Sequence, residues 1–187
     1  MFHRLAECTP AEWIPIMDES NAYQQAMPDR ILALLRQTAN LVLAFPVDQL
    51  THGLQTAALA EKDNAPDELV LAALCHDIGK AVSIRNHAAI GAEMLRPYVA
   101  PDIYNLLLAH QHFQLRYTAD HLNAHGVACK GEAREKYAKE PWYAMAEKFC
   151  DAWDVKAFDP SFPTPPLEHF EPLVRSLCSK PRYPTIG

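Results

Sequence analysis

The dipeptide His76-Asp77 closes an unbroken apolar run, Leu69-Val-Leu-Ala-Ala-Leu-Cys75. An imidazole and a carboxylate at the end of a buried segment are costly unless they are paired or bound to a metal. Further histidines and acids recur at intervals too long for a local motif: His52, His87, His110, and an aspartate at 151 or 154. Each lies on, or at the start of, a segment with helical patterning. His and Asp are the ligands expected for iron, manganese or zinc where thiolates take no part. Adjacent His76 and Asp77 leave a helix roughly 100° apart, from the helical period. They can therefore grip one cavity from two sides. A carboxylate has two oxygens, so Asp77 can bridge two metals, and helix bundles build di-metal sites from such inward-facing groups. Gly79 suits a helix C-terminus and Lys80 the negative end of its dipole. The bland alternative is a core helix with a polar end, and the spread of the other His and Asp residues weighs against it.

Other candidates carry less. His121 and His125 are four apart, but no Glu follows His121, so the zinc-protease pattern fails and a solvated face is the better reading. His112 lies near His110 and is a candidate for lining the same pocket. Trp13, Trp142 and Trp153 read as core. The five cysteines are odd in number, scattered and without a CxxC pair. That pattern fits a reducing cytoplasm and argues against a disulfide framework or a thiolate zinc site.

The elements that must position these residues are helices. Thr9-Pro-Ala-Glu12 reads as a capped helix start, with Trp13, Ile14 and Ile16 following. Pro28 opens a stronger helix through about Ala44. Pro46 breaks the chain, and a helix from about Val47 to Lys62 carries His52. Pro66 opens the central helix. Asn86 can cap a helix from His87, and Pro101 opens another to about His112, followed by an amphipathic segment from Phe113 to about His125. Residues 127–140 are charged and read as a loop with a helical turn. Pro141 opens a long helix through about Phe158. The run Asp159-Pro-Ser-Phe-Pro-Thr-Pro-Pro166 excludes a helix, and a last helix spans about Leu167 to Cys178, with a frayed tail from Ser179. No alternating strand pattern of useful length occurs, so the fold class is all-α.

At 187 residues, with 49% hydrophobic and 21% charged residues, the chain has the composition of one soluble domain. The net charge of -6 and the lack of a basic run argue against nucleic acid as a partner. No apolar stretch approaches membrane-spanning length, and the N-terminus lacks the layout of a signal peptide. A small-molecule substrate in the cytoplasm is the expectation; the oligomeric state is open.

The order His52, His76-Asp77, His87, His110 and a late Asp resembles the HD-domain superfamily, with Leu74-Cys-His-Asp-Ile-Gly-Lys80 as its most specific piece. The resemblance implies a helical bundle at residues 45–158, flanked by N-terminal helices at 1–44 and a Pro-rich connector with a C-terminal helix at 159–187, all in one domain. That superfamily includes metal-dependent phosphohydrolases and mixed-valence diiron oxygenases acting on myo-inositol or hydroxylated aminophosphonates. Gln49-Leu-Thr-His-Gly-Leu-Gln-Thr-Ala57 resembles the Gln-x-x-His-Ala-Leu/Phe-Gln-Thr/Cys-Ala stretch of the oxygenases. Ala152-Trp153-Asp154 resembles their aromatic-Asp motif, which selects Asp154 over Asp151 as the last ligand; the plain HD pattern keeps Asp151 as the alternative.

What the resemblance implies is two metal ions, Fe(II)/Fe(III), on His52, His76, Asp77, His87, His110 and Asp154, with Lys80 and Asp77 as catalytic groups. The same cage with manganese or magnesium would serve a phosphohydrolase acting on a small phosphate ester or nucleotide. Gln49, Gln55, Asp151, Gln114 and His112 are candidates for supporting the ligands or facing the substrate. This chain also departs from the aminophosphonate oxygenases. Val42 and Phe45 stand where they have Tyr and Glu, Gln114 where they have Lys, and Asp151 where they have Arg. Phosphonate recognition wants cationic forks, so the pocket is expected to carry one cation, Lys80. That suits a small hydroxylated substrate such as a compact polyol or a hydroxylated amine, or one with a single phosphate, better than a free phosphonate dianion.

Overall fold

The computed structural model describes residues 2–183. Every regular element among them is helical. A capping box starts α1 (Pro10–Gln25): Thr9 Oγ1 accepts from the Glu12 N–H, and the Glu12 carboxylate accepts from the Thr9 N–H. Nothing on α1 is buried, and Trp13 is 43% exposed. The expectation of a core Trp13 was therefore wrong. Periodicity assigns a helix an apolar face, but it does not supply a neighbour to cover it.

The second helix, α2 (Met27–Gln37), sends Ile31, Leu32 and Leu35 into the core. It ends seven residues before the expected Ala44. A 3-10 turn at Thr38–Asn40 follows, and then Leu43 and Ala44 take φ of 50° and 61°. Left-handed backbone at two successive residues stops a right-handed helix. The loop it creates carries Phe45 to the mouth of the site described below.

Asp48 caps α3 (Gln49–Lys62), its carboxylate accepting from the Thr51 N–H at 2.9 Å. The next helix, α4 (Asp67–Cys75), is buried continuously from Leu69 to Cys75, as an all-apolar run requires. It stops at Cys75, before the His-Asp pair. His76 and Asp77 form the turn, and Ile78–Ala81 is a separate 3-10 turn. Gly79 is not a left-handed helix cap, contrary to expectation. Its role is close approach: a Cβ there would lie 2.2 Å from the backbone oxygen of His87.

His87 begins α5 (His87–Leu95), and Pro101 begins α6 (Pro101–Ala124), a single helix where two segments were expected. The charged stretch does hold helical turns, at Gly131–Tyr137. The expected long helix after Pro141 is broken into three: α7 (Tyr143–Lys148), a π-helical turn at Phe149–Trp153 and a 3-10 turn at Asp154–Lys156. Trp142 and Trp153 are buried as expected. The Pro-rich connector holds no helix, turning at its start where the Phe162 N–H donates to the Asp159 carbonyl, and α8 (Leu167–Cys178) packs Phe170, Val174 and Leu177 inward. The tail from Ser179 is not free as far as it is described. The N–H groups of Arg182 and Tyr183 both donate to the Pro97 carbonyl, and the Tyr183 hydroxyl donates to Glu68. Residues 184–187 of that tail lie outside the described residues.

Two helix pairs organise the bundle. α3 packs on α4, and α5 packs on α6, while α8 closes over α2 and α4. Gly53 lets the first pair approach, since a Cβ there would meet the Leu74 carbonyl oxygen at 2.6 Å. Most of the buried apolar side chains form one cluster extending from Ile31 to Cys178. Each fully buried Leu, Ile or Phe in it stabilises the fold by about 1.5–3 kcal/mol before the entropy of ordering is counted.

Candidate metal centre

Each helix pair brings two histidines together. The α3–α4 pair sets His52 Nε2 3.0 Å from His76 Nε2, and the α5–α6 pair sets His87 Nε2 3.3 Å from His110 Nε2. All four rings are aimed in the same way. His76, His87 and His110 place Nδ1 on the carbonyl oxygen three residues earlier, on Ala73, Ile84 and Leu107, at 2.7–2.9 Å. His52 Nδ1 reaches the Ala157 carbonyl at 3.0 Å. A carbonyl only accepts, so each Nδ1 carries the proton and each Nε2 presents a lone pair inward.

Asp77 lies between the pairs. Its Oδ1 is 2.9 Å from His87 Nε2 and 3.6 Å from His110 Nε2. Its Oδ2 is 3.6 Å from His52 Nε2 and 3.5 Å from His76 Nε2. Asp154 adds Oδ1 on the first pair, 3.3 Å from His52 and 3.6 Å from His76. All six residues are buried. Two sets of three converge closely enough to hold an ion: His52, His76 and Asp154, and His76, Asp77 and His110.

The donor atoms fit a metal on physical grounds. Two imidazole lone pairs facing each other at about 3 Å repel unless a cation or proton lies between them. Asp77 Oδ1 and Asp154 Oδ1 are buried without a hydrogen-bond donor among the described residues, a costly condition that a cation relieves. Without metal the charges rearrange around protons. Burial alone would pull the His76 imidazole down, but the Asp77 and Asp154 carboxylates lift it to about 9. Burial alone would raise those carboxyls; the surrounding imidazoles, His76 foremost, together outweigh it and hold both well below the usual range.

Lys80 is tied into the centre. Its ammonium donates to Asp77 Oδ2 at 2.6 Å and to Gln49 Oε1 at 2.7 Å. Gln114 Nε2 donates to Asp154 Oδ2 at 2.8 Å. Gln55 is buried and holds the connector: Nε2 donates to the Asp159 carbonyl and to Thr164 Oγ1, and Oε1 accepts from the Asp159 N–H. It fixes the segment that supplies the His52 acceptor, rather than touching His52 itself.

Two supporting candidates lie away from the centre. Asp151 was expected on the same helical face as Asp154, facing ligands or substrate. The i→i+5 bonding of the π turn widens the coil, so positions three apart no longer share a face. Asp151 instead takes the Arg134 guanidinium at 3.1 and 3.3 Å. His112 does not line the pocket either; its ring meets the Tyr137 hydroxyl and Lys136. Arg134, only 1% exposed, escaped sequence reading because it lies in a charged stretch with every mark of a solvated loop.

A cavity of about 240 Å³ opens beside the centre. Asp77, Asp154, Lys80 and Gln114 line its inner part; Phe45, Tyr117, Thr118, Val155 and Phe158 line the rest. Phe158 stacks on the His52 ring at 4.2 Å, and Phe45 stacks on Phe158 at 5.2 Å. These aromatics also went unrecognised as pocket lining in sequence, since isolated Phe residues in loops and a Tyr on a polar helical segment carry no signal of a cavity.

The family model of the HD domain matches residues 50–155. The chain belongs to the HD domain family. A relative from Leisingera caerulea, named [1-hydroxy-2-(trimethylamino)ethyl]phosphonate dioxygenase (glycine-betaine-forming), is 27% identical over 165 residues, covering 74% of this chain and 83% of that protein. No helix among the described residues is long and apolar enough to cross a membrane.

Proposed function

We propose that this chain is a binuclear-metal oxygenase, with two irons held by His52, His76, Asp77, His87, His110 and Asp154, that oxidises a small hydroxylated substrate. The observation that carries the binuclear reading is the placement of Asp77, whose two oxygens each face a different histidine pair. The donors are nitrogen and oxygen only, which suits iron as well as manganese or zinc. The name of the 27% identical relative favours oxygen chemistry.

The irons would supply the activation of dioxygen; the protein's part is to hold, orient and shield. Lys80 donates to Asp77 Oδ2 and keeps a third ammonium hydrogen for a substrate oxygen. Gln114 donates to Asp154 Oδ2. Phe158, stacked on His52 and covered by Phe45, excludes water from that side of the centre.

The second reading is a phosphohydrolase using the same cage with manganese or magnesium, favoured by the ammonium of Lys80 beside the site. One experiment separates the two. Iron-loaded protein, partly oxidised, is expected to give the electron-paramagnetic signal of a coupled Fe(II)/Fe(III) pair and to consume dioxygen with substrate. Anaerobic phosphate release from simple esters that requires Asp77 and Lys80, with no such signal, would overturn the oxygenase reading.

A further inference from the structure

The gradient of exposure orients the cavity. Asp77 and Asp154 at its inner end are 3% and 0% exposed, while Phe45 and Tyr117 are 43% and 47% exposed. The outer part therefore meets whatever portion of a ligand points away from the metal centre.

Several of its polar atoms are engaged by the protein. The Tyr117 hydroxyl lies beside Asp151, and the Thr118 hydroxyl donates to the Gln114 carbonyl. The Gln114 amide nitrogen is held by Asp154. Lys80 spends two of its three hydrogens on Asp77 and Gln49. What the outer wall offers a ligand is hydrocarbon: the rings of Phe45, Phe158 and Tyr117 and the side chain of Val155. The loop that carries Phe45 also exposes Val42 and Leu43, at 50% and 45%.

A polyol bound here would strip water from its outer hydroxyls without replacing those hydrogen bonds, at a cost for each. A hydrocarbon group would instead gain from leaving water. We infer that the substrate is a small amphipathic alcohol: a hydroxylated head at Lys80 and the metal centre, and an apolar substituent against Phe45, Phe158, Tyr117 and Val155. The inference rests on the reading of the metal centre above and narrows its substrate class.

Binding to protein loaded with redox-inert zinc tests it without turnover. The probes are ethane-1,2-diol, butane-1,2-diol and hexane-1,2-diol, with glycerol and myo-inositol as polyol comparisons, and the readout is affinity by calorimetry. Affinity is expected to rise by roughly fourfold per added methylene, and both polyols should bind no tighter than ethane-1,2-diol. Phe45→Ala and Tyr117→Ala should each flatten the gradient. Tyr117→Phe should keep it, because the ring is retained. A flat series, tighter binding of myo-inositol than of hexane-1,2-diol, or a gradient untouched by both alanine variants would overturn the inference. Oxygen uptake by iron-loaded protein is read separately. A steep gradient without any oxygen chemistry would overturn the oxygenase reading and support the pocket, whereas oxygen uptake with polyols alone would overturn the pocket.

Discussion

Gly79 lies so close to His87 that a methyl group on it would stand 2.2 Å from the His87 carbonyl oxygen and 2.8 Å from its Cα. The turn after the His-Asp pair and the start of α5 are thus pressed backbone to backbone. This contact sets the distance between Asp77 and the His87–His110 pair. Gly79→Ala is expected to lower stability by about 2–4 kcal/mol through overpacking and to weaken metal retention at that pair. Gly131→Ala, where the nearest atoms to a new Cβ are 3.8 Å away, should be close to neutral. Denaturant unfolding and elemental analysis of the two variants check this.

Metal content should divide along the two histidine pairs. Asp77→Ala is expected to lose both ions, because its oxygens face both pairs. His87→Ala should lose mainly the ion at the α5–α6 pair, and Asp154→Ala mainly the ion at the α3–α4 pair. Removing both ions with a chelator should lower the melting temperature, since an ion bound only to the folded state stabilises it by mass action. Elemental analysis of loaded wild-type protein showing one ion or none would contradict the six-ligand arrangement.

Lys80 should matter more for turnover than for architecture. Lys80→Ala removes the donor to Asp77 Oδ2 and the hydrogen left for substrate, yet takes away no ligand. Metal content should stay near two ions while turnover falls by about 10- to 1,000-fold, as when a donor aimed at developing charge is removed. Loss of the metals in this variant would show that the ammonium is needed to hold Asp77 in place.

Arg134, which is buried, and Asp151, which is partly exposed, form a pair whose value lies in its completeness. Asp151→Ala would leave a guanidinium that is 1% exposed without its main partner, with Glu147 at 3.9 Å as the remaining acid. The expected loss is about 2 kcal/mol, discounted because Asp151 is itself partly exposed. Arg134→Met combined with Asp151→Leu should recover most of that stability, since a well-packed apolar pair replaces a desolvated ionic one. Urea unfolding of the single and double variants gives the comparison directly.

The helical class was readable along the chain because prolines, caps and apolar periodicity act over a few residues. The capped start at Thr9, the buried run from Leu69 to Cys75 and the final helix from Leu167 to Cys178 all came from such local signals. The candidate set was also visible as chemistry: histidines and aspartates at the edges of apolar segments. Distances among them were not, because His52 and Asp154 are brought together by packing that no local pattern encodes. Where Leu43 and Ala44 turn left-handed, where α4 stops short of His76, and where the helix bearing Asp151 widens into a π turn were decided by tertiary contact. So was the meaning of Gly79, which reads as a helix end in sequence and acts as a contact in the fold. The same holds for Arg134, a loop cation by sequence, which the fold buries on Asp151. Sequence specifies which side chains can bond or ligate; close packing in three dimensions selects which of them meet.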